Sequence, residues 1–313
     1  MIMREIEFRE ASDLEECQRL WEKFSPHETI YDEWDWRYTF YKYHNYRLRF
    51  IVGVLTDQEI GVLPLQYESK EGFWEFFGGP SMEGNSVWVE SGYEKYVKDF
   101  YQAAGEPVWL DYLVGKDELT RSLPTDDGGY SLNLSEFSNA EDFIERHLQG
   151  RLRKHTRAAY KDILARKPQI IYNRWEDLEK LFYLNKQIFG VESSFYDEHE
   201  EDVYRDIIKL PYKWLLFSLN FNGETIAISL GMMHKKCFYF LAVGYERGEI
   251  KQLNQFLSLQ NIDEAKKIGA EKIDFGYHDC GWKKRWGLEQ TEYHQYACWD
   301  GLTPDKFYSM VEK

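Results

Sequence analysis

The stretch from Asp274 to Gly287 gathers side chains able to do acid–base and anion chemistry. It holds the carboxylates Asp274 and Asp279, the imidazole of His278, the thiol of Cys280 and the cations Lys283, Lys284 and Arg285, framed by Trp282 and Trp286. His278 and Asp279 are candidate bases, because an imidazole is tunable near neutral pH and a carboxylate reaches that range when buried. Each reads equally well as an ordinary turn residue bonding its neighbours. Asp274 stands on an expected strand, Lys272 to Phe275, where it satisfies backbone N–H groups or pairs a cation. Cys280 lacks the partners of a thiol nucleophile, and His278 with Cys280 supplies at most two ligands where structural zinc takes four. No metal is expected.

The elements that must hold this stretch are legible in the hydrophobic pattern. Trp214 to Phe221, an Asn222-Gly223 turn, Thr225 to His234 and Cys237 to Gly244 read as an antiparallel meander. A helix from about Lys251 to Ile268 follows, ended by Gly269, and leads into the strand carrying Asp274. The first half has the same order. Phe50 to Leu55, Glu59 to Tyr67 and Gly72 to Gly79 read as strands, Gly92 to Ala104 as a helix closed by Gly105, and Val108 to Asp111 as a strand. Ile60-Gly61, Gly78, Gly105 and Asp111 match Ile226-Ala227, Gly244, Gly269 and Asp274 at nearly constant offset, which points to two copies of one α/β unit. Before the first copy, Ile2 to Phe8 reads as a strand, and Ser12 or Asp13 caps a helix through Phe24. The aromatic run Trp34 to Tyr43 reads as a core helix or as a platform for sugar rings.

A length of 313 residues favours two domains of roughly 150 residues. Divisions are expected at 1–138, 139–167 and 168–313, the middle piece being a basic helical connection. On it Arg153, Arg157 and Lys161 share one helix face, which suits an anionic partner or simply solvent. A net charge of −15 argues against a DNA-binding role, since phosphate neutralisation needs clustered cations. Four cysteines without close pairing read as reduced thiols, and no apolar run is long enough to span a membrane, so a cytoplasmic protein without membrane insertion is expected.

Asp274-Phe275-Gly276, a short variable loop and Trp282-Lys283-Lys284-Arg285-Trp286-Gly287 together resemble the duplicated acetyltransferase-like group of the GNAT superfamily. This group includes cellulose-biosynthesis-associated acetyltransferase-like proteins and is related to the Fem peptidoglycan aminoacyltransferases. The basic segment Arg151 to Arg166 and the helix ends Gly105 and Gly269 fit the same pattern. The resemblance implies an α/β (α+β) chain of two tandem GNAT-like domains, each a mixed, largely antiparallel sheet flanked by helices. It further implies transfer of an acyl group from acetyl-CoA or another acyl-CoA to an amine on a small molecule, sugar or peptide. The Fem relationship leaves aminoacyl-tRNA open as the donor, and a noncatalytic ligand-binding protein is the third reading.

By that resemblance Lys283 stabilises the oxyanion of the tetrahedral intermediate, His278 or Asp279 serves as base, and Tyr245 donates to the leaving thiolate. Gly244, Arg247, Gly248, Lys251 and Gln252 form the turn expected to meet the CoA diphosphate, while Asp274, Trp282, Arg153 and Arg157 bind substrate. The turn departs from the family pattern. It lacks the second small residue, and Glu246 and Glu249 oppose a diphosphate.

Overall fold

The computed structural model describes residues 5–298 except 45, 249 and 280. Cys280 and Glu249, weighed above, lie outside the described residues, as does the start of the expected strand 2–8. In chain order come β1 (Glu7–Ala11), α1 (Leu14–Phe24), α2 (Trp34–Tyr41), β2 (Arg47–Leu55), β3 (Gln58–Glu68), β4 (Phe73–Phe76), β5 (Trp88–Val89), α3 (Val97–Ala104), β6 (Val108–Val114) and α4 (Glu118–Ser122). Then follow β7 (Gly129–Asn133), α5 (Ala140–Arg146), α6 (Gly150–Ala165), β8 (Gln169–Tyr172), α7 (Leu178–Phe189) and α8 (Glu200–Ile207). The chain continues through β9 (Lys213–Phe221), β10 (Glu224–His234), β11 (Cys237–Tyr245), α9 (Leu253–Lys267), β12 (Lys272–Tyr277), β13 (Glu289–Thr291) and β14 (Tyr293–Cys298).

Two compact units result. The first runs to Gly128 and takes the chain back from Glu292, while the second is Gly129–Thr291. This division differs from the expected one for a physical reason. β7 pairs antiparallel with β12 and β13, so it belongs to the second sheet, and β14 pairs antiparallel with β6 in the first. Residues 139–167 are no mere connection. Phe143, Ile144, Leu148, Tyr160 and Ile163 are buried in the same apolar core as Phe217, Phe238 and Ile273 of the second sheet.

In the first unit the sheet order is β1-β2-β3-β4-β6-β14, with β5 on β3. Asp13 caps α1 by accepting from the N–H of Glu16, as its position before an amphipathic run predicts. α2 buries Trp34, Trp36 and Phe40, so that side of the aromatic run fills the core as a core helix requires. β4 and β6 pair in parallel only at Trp74 and Val108. Beyond that point Asn85 bridges Leu113, with the Asn85 N–H donating to Tyr112 O (2.9 Å) and the Val114 N–H to Asn85 O (2.9 Å). The chain thereby lines the edge of β6 itself. Arg37 is buried and donates to Tyr31 O, Phe77 O and Asn85 Oδ1.

Beside this lock lies Glu75, 6% exposed, whose carboxyl is pushed up to about 8 by burial, with Asp111 and Glu68 adding to the rise and the Gln66 amide opposing it. A folded-state value above the unfolded one means the folded protein holds the proton more tightly, so stability falls as pH rises from about 4.5 to about 8. Glu75→Gln keeps the shape without the charge. The substitution is expected to flatten this fall and to stabilise the first unit by roughly 2–4 kcal/mol at pH 8, read from urea midpoints at pH 5 and 8.

The second unit has the order β13-β7-β12-β11-β10-β9-β8. Its meander matches the sequence expectation within a residue or two, while β8, α7 and α8, whose short amphipathic segments lack clear punctuation, were not anticipated. No described helix is long and apolar enough to cross a membrane.

Candidate active site

The site begins with a break in strand pairing. β11 and β12 run parallel and pair only over Cys237–Tyr239 and Lys272–Asp274. Beyond Tyr239 and Asp274 the ladder stops and a wedge opens. On its other edge β11 carries a bulge, because Leu230 opposes Ala242 and Gly231 opposes Phe240, which leaves Leu241 as the extra residue. The carbonyls of the next β11 residues are held by side chains. Asn185 of α7 donates to Val243 O (2.8 Å) and Tyr204 of α8 donates to Leu241 O (3.4 Å). Since N–H and C=O of one strand residue leave on the same edge, the Leu241 and Val243 amides face the wedge.

A cavity of about 440 Å³ occupies the wedge. β11 lines it with Phe240–Val243 and Tyr245, α9 with Asn254, Gln255 and Ser258, and the segment after β12 with Trp282 and Trp286. Its aromatic wall is a chain of edge contacts, Phe240 to Phe275, Phe275 to Trp282 and Trp282 to Trp286, with centroids 5.8, 5.4 and 5.1 Å apart. Tyr245 is half-buried, and burial raises its phenol above the ordinary value while Arg247 opposes the rise, so it stays protonated near neutral pH. Gly244 lies under α7. A Cβ there would stand 2.8 Å from Leu181 O and from Leu184 Cβ, so this glycine permits close helix–strand packing.

The sequence-predicted residues divide sharply by position. Tyr245, Trp282 and Lys283 line the cavity. Lys283 is buried, however, and its ammonium donates to the carbonyls of Phe275 (2.7 Å), Gly276 (2.9 Å) and Tyr277 (2.6 Å). It clamps the end of β12 from within. Asp279 Oδ1 accepts from the Lys283 N–H (2.8 Å), and Asp274 Oδ1 from the Gly276 N–H (2.7 Å), so both carboxylates shape the loop. Burial raises the Asp274 carboxyl, while the Gly276 N–H, Lys272 and Lys283 draw it back. His278 is exposed with a φ of 60°.

Arg153 and Arg157 do not face an anion-binding groove. Arg153 donates to Glu145 O (3.1 Å) and Arg157 to the Glu145 carboxylate, while Lys161 pairs with Glu141, so the basic face of α6 is turned to acidic α5. Arg247 donates to Ile188 O at the end of α7 (2.6 Å), and Gly248 and Lys251 are exposed. Gln252, with a φ of 64°, forms the start of α9.

Glu200 escaped the sequence reading. It begins α8 one helical turn before Tyr204, on the same face, and Tyr204 reaches the carbonyl of the bulged Leu241. Burial, with Asp197 adding to it, pushes the Glu200 carboxyl up to about 8. The only sequence signal was an acid four residues before a tyrosine. Among the described residues no group of three or more His, Cys, Asp or Glu is arranged to hold a metal.

Comparison with known proteins agrees with this geometry. The family model described as Acetyltransferase (GNAT) domain matches residues 150–284. No curated protein matches the chain. Among solved structures, L-PGS from Bacillus licheniformis is similar with a TM-score of 0.59 at 13% identity, over 96% of each chain. FemX is similar with a TM-score of 0.56 at 14% identity, over 98% of this chain and 100% of that one. A tandem GNAT protein from the clavulanic acid biosynthesis pathway gives 0.58 at 9% identity, over 96% and 100%. At such identities the likeness is one of fold, and the link to cellulose-biosynthesis-associated proteins finds no support among these structures. Two mixed sheets with flanking helices, one of them broken into a wedge, make this a tandem GNAT fold, and its residues 150–284 match the model of the acetyltransferase (GNAT) domain.

Proposed function

We propose that the second unit is an N-acyltransferase that moves an acyl group from acyl-CoA to an amine within the β11–β12 wedge. The observation that carries the reading is the wedge itself, an apolar cavity with strand amides on one wall and a protonated phenol at its end. The Leu241 and Val243 N–H groups polarise the thioester carbonyl as its oxygen becomes negative. The neutral amine attacks the carbonyl carbon, the proton on nitrogen passes to Glu200 as the C–S bond breaks, Tyr245 protonates the departing thiolate, and Glu200 and Tyr245 return to their starting states by proton exchange with solvent. Acyl-CoA and amine thus give amide and free CoA. Lys283 takes no proton in this scheme and holds the wall in place.

Among the described residues of the first unit the Asn85 segment lies along β6, where the second unit has its wedge. Aminoacyl-tRNA as donor and a purely binding role are the competing readings, and one assay separates them. Thiol release from acetyl-CoA or longer acyl-CoAs is expected only when an amine is present. Asn254→Trp, at an exposed α9 position on the rim of the cavity, is expected to lower kcat/KM at least tenfold with little change in Tm. No thiol release with any acyl-CoA, and no rise in Tm on adding one, overturns the CoA-dependent reading.

A further inference from the structure

An opening of about 680 Å³ lies in the first unit, at the end of its sheet where β1 and β3 finish and β2 and β4 begin. The Asn85 segment lines β6 at the other end. Strand register builds one wall of the opening. Arg47 on β2 stands opposite Tyr67 on β3, and Tyr67 opposite Trp74 on β4, so the three side chains form a row across one face of the sheet. Arg49, two residues further along β2, projects to the same face.

The two arginines are used differently. Arg49 donates to Glu10 Oε1 of β1 (2.8 Å) and to the carbonyls of Ala103 (3.4 Å) and Ala104 (2.6 Å), so it ties a strand to the end of α3. Arg47 is exposed, and its guanidinium lies over the Tyr67 ring at 4.5 Å and the Trp74 ring at 5.4 Å. It makes neither a hydrogen bond nor an ion pair with any described residue, whereas every other described arginine makes at least one. Two rings therefore hold a planar donor fork in place with its N–H groups unspent. The remaining wall is aromatic. Tyr41 donates its phenol to Tyr46 O (2.9 Å) and Tyr46 to the Glu68 carboxylate (2.7 Å), so both hydroxyls are engaged and the rings, with Trp74, are left to meet a ligand.

The charge around the fork selects among anions. Glu10 stands on the rim, paired with Arg49, and Glu68 stands behind Tyr46, so a doubly charged phosphate meets two carboxylates while a single carboxylate matches one guanidinium edge. We propose that this opening binds a carboxylate carried on an aromatic or aliphatic body, with Arg47 taking the carboxylate in a bidentate grip and the body lying against Trp74, Tyr41 and Tyr46. A free organic acid and the last residue of a peptide share this chemistry. The site belongs to the first unit and is independent of any reaction at the β11–β12 wedge.

A nuclear magnetic resonance titration of the whole protein tests it, followed at the indole N–H of Trp74, which Trp74→Phe identifies. N-acetyltryptophan is expected to give a saturable shift, and N-acetyltryptophanamide and inorganic phosphate to bind about tenfold more weakly or worse. Arg47→Ala is expected to weaken the acid by about 10-fold to 100-fold with little change in Tm, and Arg47→Lys to restore only part, since an ammonium lacks the fork. Lys98→Ala, an exposed cation on α3, is expected to change nothing. A tripeptide ending in tryptophan that binds more tightly than the single residue identifies a peptide end as the source, and equal binding identifies a free acid. The amide binding as well as the acid overturns the proposal on wild-type protein alone, without any variant. Acid binding undiminished in Arg47→Ala, phosphate binding tighter than the acid, or no saturable shift with either carboxylate overturns it as well.

Discussion

Lys283→Ala is expected to lower the unfolding free energy of the second unit by about 3–5 kcal/mol, read as a lower denaturant midpoint by tryptophan fluorescence. A lysine ammonium has three N–H donors, and here they go to the carbonyls of Phe275, Gly276 and Tyr277 in a buried position. Removing the side chain takes three charged donors away from those carbonyls and leaves a void beside Tyr130, whose ring faces the ammonium at 5.3 Å. Each charge-assisted bond alone is worth roughly 1.5–3 kcal/mol, although the three are not additive. Turnover falls as well, because Trp282 and Trp286 lose their footing on the cavity wall. Lys283→Arg, too large and planar for the converging carbonyls, is not expected to rescue. An unchanged midpoint together with lost turnover would return Lys283 to a direct role on the substrate.

This lysine shows how far sequence reasoning reached. The segment Asp274 to Gly287 stands out in the sequence as a candidate site because its residue types are dense and its neighbours are periodic. The meander, α9 and β12 were legible from alternation, Asn222-Gly223 and Gly269, which are local signals. Which way a cation points is not local. Lys283 reads as an oxyanion stabiliser in sequence because it follows an aromatic, yet it turns inward and donates to the carbonyls of Phe275, Gly276 and Tyr277 at the end of β12. Arg153 and Arg157 share a helix face as spacing predicts, but the decisive fact is that Glu145 of α5 meets that face. The exchange of β7 and β14 between the sheets was also hidden. Strand segments carry their pleat in sequence, whereas their partners are fixed by the fold.

The wedge was hidden for the same reason, since it depends on where two strands stop pairing, and Glu200 becomes intelligible only through it. An amine sheds a proton as it becomes an amide, so the proposed transfer needs a group that takes a proton near the carbonyl. Glu200 stands one turn from Tyr204, which is bonded to the bulge at Leu241, and burial holds its carboxyl at about 8. A base works when deprotonated, so kcat/KM is expected to climb through about pH 8 and then level off. Glu200→Gln is expected to lower the rate about 10²- to 10⁴-fold and to erase that rising limb. Stability changes in the opposite sense. Because the folded carboxyl is raised, ionisation costs folding energy as pH rises from about 4.5 to about 8, and the glutamine removes that cost. A Glu200→Gln protein that is at least as stable as wild type at pH 8 and yet slow identifies Glu200 as the base, whereas an unaltered pH–rate profile assigns the proton to another group.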